Sequence, residues 1–117
     1  MDLEKAVTAH AEWKIKLRGA IQRKERLDAS SISSDRCCPL GEWLHGEGRQ
    51  KFAKHPSHGA CVAKHADFHR QAGTVAGAIN QGRYAEAEAM LVNGSSYMTA
   101  SSAVAMAIMA LRKDAKI

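Results

Sequence analysis

The chain has 117 residues, a formal net charge of +5 and 45% hydrophobic residues, whereas aromatic residues make up only 5%. This length suits a single domain, residues 1–117, that buries a core of its own, and the many alanines and the scarcity of prolines favour helices. The basic residues have neither interleaved aromatic residues nor a recognition motif, which argues against nucleic-acid binding.

A stripe of apolar residues at three- and four-residue spacing predicts a first helix from about Asp2 to Asp28. The chain then enters a polar stretch, from Ala29 to Asp35, that is typical of a loop. The residues of the stripe are Leu3, Val7, His10, Trp13, Leu17 and Ile21.

The segment that follows this loop is predicted to contain short helical pieces. Pro39 suits the first turn of a helix, whereas Gly46 and Gly48 are expected to break the segment. Residues 48–54 are expected to add a further turn or two before Pro56.

A third helix is predicted from Ser57, which suits the capping position, to about Gln81, with Gly82 as the stop signal. One face of this helix carries both apolar residues and two histidines, so these histidines are expected to point inward. The residues of this face are Cys61, Val62, His65, Phe68, His69, Ala72, Val75, Ala76 and Ile79.

The last helix is predicted from about Arg83 to Lys113, with a kink at Asn93-Gly94-Ser95-Ser96. Its apolar residues cover so wide an arc that we expect it to pack against a second partner as well as its own bundle. Together these elements predict an all-α fold: an antiparallel four-helix bundle with an additional short helix that carries the Cys38 motif.

Four residues in different predicted elements have the types and positions of zinc ligands: His10, Cys38, His65 and His69. On a helix, His65 and His69 leave the same face one turn apart, and two inward imidazoles without a neighbouring carboxylate favour a shared metal ion. Cys38 directly precedes a helix start, where the local field is expected to lower the pKa of its thiol. One thiolate and three imidazoles would complete a tetrahedral Zn²⁺ site and leave no open position.

Each of these residues also has an inert interpretation, since core histidines are often simply hydrogen-bonded and free cysteines often behave as small hydrophobes. Cys37 is adjacent to Cys38 but points in another direction, so only one of the two should reach the ion. Cys61 lies four residues before His65 on the same stripe and is an alternative ligand.

Three further histidines lie outside this set. His58 extends the stripe of the third helix by one more turn. His45 and His55 have glycine- and proline-rich surroundings and are expected at the surface or in loops.

Cysteine content and the absence of long apolar runs favour a cytoplasmic location. The three cysteines are odd in number and two are adjacent, so no disulfide framework is implied. No apolar run approaches the ~20 residues that span a bilayer, and the amino terminus has no secretory signal, so we expect neither a membrane span nor export.

The pattern resembles the chemoreceptor zinc-binding domain family, whose motif is an amino-terminal His, then Cys-x-Leu/Phe-Gly-x-Trp, then His-x-x-x-His. This chain carries His10, then Cys38-Pro39-Leu40-Gly41-Glu42-Trp43, then His65-Ala66-Asp67-Phe68-His69. The resemblance extends from about Thr8 to Arg112 and selects Cys38 over the other two cysteines. It implies a helical bundle that binds Zn²⁺ through the four residues named above and that often pairs as a homodimer.

Members of that family regulate chemoreceptors or diguanylate cyclases in the bacterial cytoplasm, some in response to zinc and some in response to oxidants such as hypochlorous acid. The resemblance therefore implies a zinc-dependent sensory module. The chain is expected to be either a stand-alone member of the family or an excised domain, and its output is expected to pass through a signalling partner. The alternative is a structural module that zinc staples permanently for dimerisation. An enzyme is not expected, since four protein ligands leave no position for a reactive water.

Overall fold

The computed structural model describes all 117 residues, which form eight α-helices and the segments that connect them. The chain contains no strand, so the all-α class is confirmed, whereas the antiparallel four-helix arrangement stays a prediction. None of the helices is both long and apolar enough to span a bilayer. In chain order they are α1 (Leu3–Ala11), α2 (Trp13–Arg23), α3 (Ala29–Ser33), α4 (Pro39–His45), α5 (Glu47–Phe52), α6 (Pro56–Asn80), α7 (Tyr84–Met90) and α8 (Ser96–Ala115).

The predicted first helix is divided into α1 and α2 by a local irregularity at Glu12. Helical hydrogen bonding continues through this residue, because its N–H donates to the carbonyl of Thr8 and its carbonyl accepts from the N–H of Lys16. The α2 helix ends before the predicted Asp28, since Lys24 adopts the left-handed conformation (φ 55°) that terminates many helices.

The stretch from Ala29 to Asp35 was predicted to be a loop, and this is wrong for its first five residues, which form α3. Asp28 starts the helix, because its carboxylate accepts hydrogen bonds from both the N–H and the hydroxyl of Ser31. Ile32 is buried against the core, and Gly73 of α6 allows α3 to approach closely. One buried apolar residue is too short a pattern to reveal a helix from periodicity.

Pro39 begins α4 and Gly46 ends it, as predicted. The prediction that Gly48 breaks the segment is wrong, since Gly48 lies within α5. Its role is packing, because a Cβ at this position would lie 2.8 Å from the ring of Trp43. The glycine therefore lets α5 fold against the indole instead of ending a helix.

The α6 helix begins at Pro56, with His55 in the capping position, so the prediction of Ser57 as the cap is wrong. Proline at the first helical position has the required φ and lacks the N–H that would otherwise be unsatisfied there. The predicted stop at Gly82 is confirmed, since this glycine has a φ of +76° just after the helix.

The predicted last helix is not kinked but fully interrupted, and α7 and α8 are separate elements. Gly94 has a positive φ of +86°, and the hydroxyl of Ser95 accepts a hydrogen bond from the N–H of Met98. This serine therefore caps a new helix. The prediction treated glycine and serine only as residues that weaken one continuous helix, and so it missed this capping role.

The α6 helix is the central element of a molecule with principal dimensions of 43 × 24 × 19 Å. It packs most extensively against α8 and α3 and also contacts α2, α4, α5 and α7, while α1 packs against α8. Every residue of the predicted α6 stripe is buried except Val62, which is half-buried. The two histidines of this stripe therefore lie inside the molecule, as predicted.

Candidate metal centre

The four predicted ligand residues lie together in the interior. His10 is at the end of α1, Cys38 is the capping residue of α4, and His65 and His69 face inward from the middle of α6. One donor atom from each residue can be chosen so that all of them lie within 4.8 Å of one another. The fold thus brings together residues that are up to 59 positions apart in sequence.

Five of the six distances between the donor atoms are close to the edges of a zinc coordination tetrahedron. The Nε2 atom of His65 lies 3.1 Å from that of His10 and 3.0 Å from that of His69. The Sγ atom of Cys38 lies 3.2, 3.6 and 4.0 Å from Nε2 of His65, His69 and His10, respectively. Zinc bonds of ~2.0–2.1 Å to nitrogen and ~2.3 Å to sulfur give tetrahedral edges of about 3.4 and 3.6 Å.

Backbone carbonyls orient two of the imidazoles. Nδ1 of His10 donates to the carbonyl of Ala6 at 2.7 Å, and Nδ1 of His69 donates to the carbonyl of Ile32 at 2.8 Å. Since each neutral imidazole carries one N–H, these bonds leave the Nε2 atoms as bare acceptors that face the other donors. A metal ion would satisfy these buried lone pairs together, so the donor set fits a metal ion.

His65 is the most deeply enclosed of these residues, with 0% exposure, and its Nδ1 has no hydrogen-bond partner. The start of α4 closes over this ring at Gly41. A Cβ at Gly41 would lie 3.2 Å from Cε1 of His65 and only 1.5 Å from the carbonyl oxygen of Asp35. Glycine at this position therefore lets α4 carry its cysteine up to the histidines.

Burial keeps the histidines in the neutral form that binds metals. Desolvation lowers the pKa of His10 and His69 and lowers that of His65 to about 3. Neutral imidazoles need not lose a proton before they coordinate, so the histidines are ready for a metal ion at neutral pH.

The pKa of the Cys38 thiol was predicted to be lowered, but in the structure it is raised. Burial raises its pKa, and the hydrogen bonds from the backbone N–H groups of Gly41 and Leu40 lower it by less. The Gly41 N–H lies 3.4 Å from Sγ, so the predicted helix-start effect exists but does not dominate. The charge of a metal ion is then the main factor that would favour the thiolate.

The competing cysteines do not join this cluster. Cys37 is exposed and Cys61 is fully buried, and neither belongs to the group of donor atoms. Burial raises the pKa of Cys61 to about 12, which is typical of an inert core thiol.

Two of the three remaining histidines, His45 and His58, have hydrogen-bond partners of their own. His58 is buried and its Nε2 donates to a backbone carbonyl of α4, while His55 is half-buried before α6. The prediction that His45 and His55 lie at the surface or in loops is wrong for His45, which belongs to α4 and lies 2.8 Å from the carboxylate of Asp35. Its side chain is only 16% exposed.

Sequence reasoning missed the carbonyl groups that orient the imidazoles. The carbonyl of Ala6 could have been found, because it lies one helical turn before His10. The carbonyl of Ile32 could not, because it belongs to α3, which has no periodic signal.

Comparison with known proteins adds one match. The family model described as "Chemoreceptor zinc-binding domain" matches residues 10–76, which is more than half of the chain and includes all four clustered residues. No curated protein and no solved structure matches in the corresponding comparisons.

Proposed function

Because the chain belongs to the chemoreceptor zinc-binding domain family, we propose that it is a sensory module that regulates a chemoreceptor or a diguanylate cyclase in the bacterial cytoplasm. Zinc is the cofactor of this domain. The proposed ligands are His10, Cys38, His65 and His69, and the observation that carries the proposal is the convergence of their donor atoms within 4.8 Å.

The proposed ligands would tie together α1, α4 and α6, of which α1 otherwise packs mainly against α8. His10 holds the end of α1, Cys38 holds the start of α4, and the two α6 histidines hold the centre, while the His69–Ile32 hydrogen bond adds α3. When bound, Zn²⁺ would supply the positive charge that stabilises the thiolate and offsets the cost of clustering these lone pairs. The module is proposed to comprise residues 1–117, because Tyr97 of α8 packs against Phe68 of α6 with ring centroids 5.6 Å apart.

The sensing step is proposed to occur at Cys38, which is half-buried, whereas the other three proposed ligands are buried. Hypochlorous acid can oxidise a thiolate by two electrons, which yields a sulfenic acid and releases chloride. A sulfenic acid is a much weaker zinc ligand than a thiolate, so oxidation would release the start of α4 from the histidines. Loss of zinc itself would have the same mechanical result.

A catalytic role is not part of the proposal. The family is a regulatory one, and four protein ligands leave no open coordination position for a reactive water. Nor do we propose a nucleic-acid or membrane partner, since the basic residues form no recognised motif.

The first test is the zinc content of the purified protein by mass spectrometry. We expect one Zn²⁺ per chain, a loss of affinity of at least about 100-fold in Cys38→Ala, and no comparable loss in Cys37→Ala or Cys61→Ala. These two variants remove a thiol of the same chain that lies outside the cluster. Substoichiometric zinc, or full affinity in Cys38→Ala, would overturn the proposal.

A permanent zinc staple is the second candidate function, and the burial of the histidines favours it. His10, His65 and His69 are only 5%, 0% and 2% exposed, which should make release of the ion slow. Titration with hypochlorous acid separates the two functions: a sensor releases zinc at about equimolar oxidant, whereas a staple retains it. Cys38→Ala cannot serve as the control, because it is expected to bind zinc weakly before any oxidant is added. The matched control is therefore Cys37→Ala, which should release zinc as the unmodified chain does.

We also propose that the chain forms a homodimer through the outer face of α8. Met106 is 74% exposed and Met109 is 40% exposed, and residues three apart lie on the same helical face. Exposed methionines on one face are unusual for a helix that packs only within its own molecule. A second copy is the simplest partner, because the same face of each molecule can meet across a two-fold axis.

Sedimentation velocity tests this interface. Met106→Lys is expected to shift the dimer towards monomer by about tenfold or more in dissociation constant. Val92→Lys is the matched control, since Val92 is 52% exposed but lies between α7 and α8. A monomeric unmodified chain, or equal effects of both variants, would contradict the proposed interface.

A further inference from the structure

A groove of about 520 Å³ lies between the first helices and the start of α4, and it leads to the metal centre. His10 and Cys38 form part of its wall, whereas His65 and His69 do not. Its volume lies within the range of small-molecule sites, which is roughly 300–1,000 Å³. The remaining wall is mostly apolar and includes Ala6, Ala9, Trp13, Pro39 and Leu40.

Two lysines give this apolar groove a positive character. Lys5 and Lys16 both line it, and the Lys16 ammonium lies 4.9 Å from the centroid of the Trp13 ring. This cation–π contact holds a positive charge beside the aromatic wall. The one acidic lining residue, Asp2, uses its carboxylate to accept a hydrogen bond from the N–H of Lys5 at the start of α1.

We propose that the groove binds small organic anions with an apolar body, such as aromatic carboxylates or sulfonates, and that the occupant covers Cys38. The apolar body matches Trp13, Leu40 and the alanines, and the anionic group matches the two ammonium groups. The part of the proposal that concerns Cys38 as a zinc ligand rests on the proposed function, whereas the groove and its charge do not.

The location gives such an occupant a consequence for the metal centre. His65 and His69 are enclosed, so the groove is where a reagent from solvent meets the cluster, at Cys38 and His10. An occupant there would exclude water-borne oxidants from Sγ. Ligand binding and oxidation would therefore compete for the same space.

The test uses the zinc-loaded chain and two probes of nearly equal shape, 2-naphthalenesulfonate and the uncharged 2-naphthalenesulfonamide. Isothermal titration calorimetry should show several-fold tighter binding of the sulfonate. Lys16→Glu should weaken the binding of the sulfonate by about fivefold, as expected for a partly exposed ion pair. The same substitution should leave the affinity for the sulfonamide unchanged. Lys14→Glu is the matched control, because it makes the same charge change in α2 outside the groove.

Indole N–H resonances in a ¹H–¹⁵N spectrum locate the bound sulfonate. The Trp13 signal should shift, while that of Trp43, which packs against Phe52 away from the groove, should not. Equal affinity for both probes, equal effects of Lys14→Glu and Lys16→Glu, or an unmoved Trp13 signal would overturn the proposal. If zinc were absent from the purified protein, the proposed function would fail while the two probes would still decide whether the groove binds anions.

Discussion

Gly41 illustrates how a single missing side chain makes the metal centre possible. A Cβ at this position would meet the Asp35 carbonyl oxygen at 1.5 Å, far inside van der Waals contact. Backbone atoms cannot move aside as a flexible side chain can, so any other residue must displace the start of α4. Cys38, whose Sγ accepts a hydrogen bond from the Gly41 N–H, would move with it.

We therefore predict that Gly41→Ala lowers the free energy of unfolding by about 1–3 kcal/mol and weakens zinc binding. Urea denaturation and zinc titration against a competing chelator measure the two effects. Gly59→Ala in α6 is the control, because a Cβ there meets nothing within 4 Å. If the Gly41 variant bound zinc as tightly as the control, the close approach of α4 would not be needed for the site.

At the scale of elements, the short helix α3 matters more than its length suggests. It packs closely against α6, and its Ile32 carbonyl accepts the hydrogen bond that orients His69. Gly73 makes this approach possible, since a Cβ there would lie 1.9 Å from Oγ of Ser33 and 3.0 Å from its Cα. The α3–α6 contact is thus a support of the metal centre as well as part of the core.

Two glycines of α6 provide a matched pair for testing this contact. Gly73→Ala should push α3 away, which we expect to lower stability by about 1–3 kcal/mol and to weaken zinc binding through His69. Gly77→Ala, where a Cβ meets nothing within 4 Å, should instead raise stability by up to about 1 kcal/mol, because alanine favours the helix. Thermal unfolding with and without a chelator measures both variants, and similar behaviour of the two would show that α3 does not support the site.

For the whole molecule, the buried histidines make the stability of the metal-free protein depend on pH. Desolvation lowers the pKa of three of them, that of His65 to about 3 against about 6.5 in an unfolded chain. Below pH ~6.5 the unfolded state therefore binds more protons than the folded state. Their contribution to stability is fully present above that pH and is lost progressively as the pH falls towards 3.

We predict that the chelated protein loses up to about 1.4 kcal/mol of stability per pH unit through His65 between pH 6.5 and 4.5, and that His10 and His69 add to this loss. Urea denaturation at several pH values measures this slope. His65→Gln should reduce the slope, because it removes the histidine whose pKa burial lowers to about 3. A slope that His65→Gln does not change would show that this histidine is not held neutral by burial.

The family and its metal were predictable from the sequence because they rest on residue types at short spacings. His65 and His69 share one face on any helix, the motif around Cys38 is distinctive, and the family model matches residues 10–76. The all-α class was equally predictable, since helical periodicity and helix breakers are local properties. The assignment of His10, Cys38, His65 and His69 as zinc ligands remains a proposal, which the zinc content of the purified protein and of its variants tests.

Tertiary structure decided what depends on residues distant in sequence. It formed α3 from a stretch that has only one buried apolar residue, because α6 offers a glycine for it to pack against. It also raised the pKa of the Cys38 thiol, since burial among other elements outweighs the two local N–H groups. Spacing along the chain thus determined which side chains can converge, whereas burial determined their charge and their orientation, because desolvation and long-range hydrogen bonds exist only after the elements have packed.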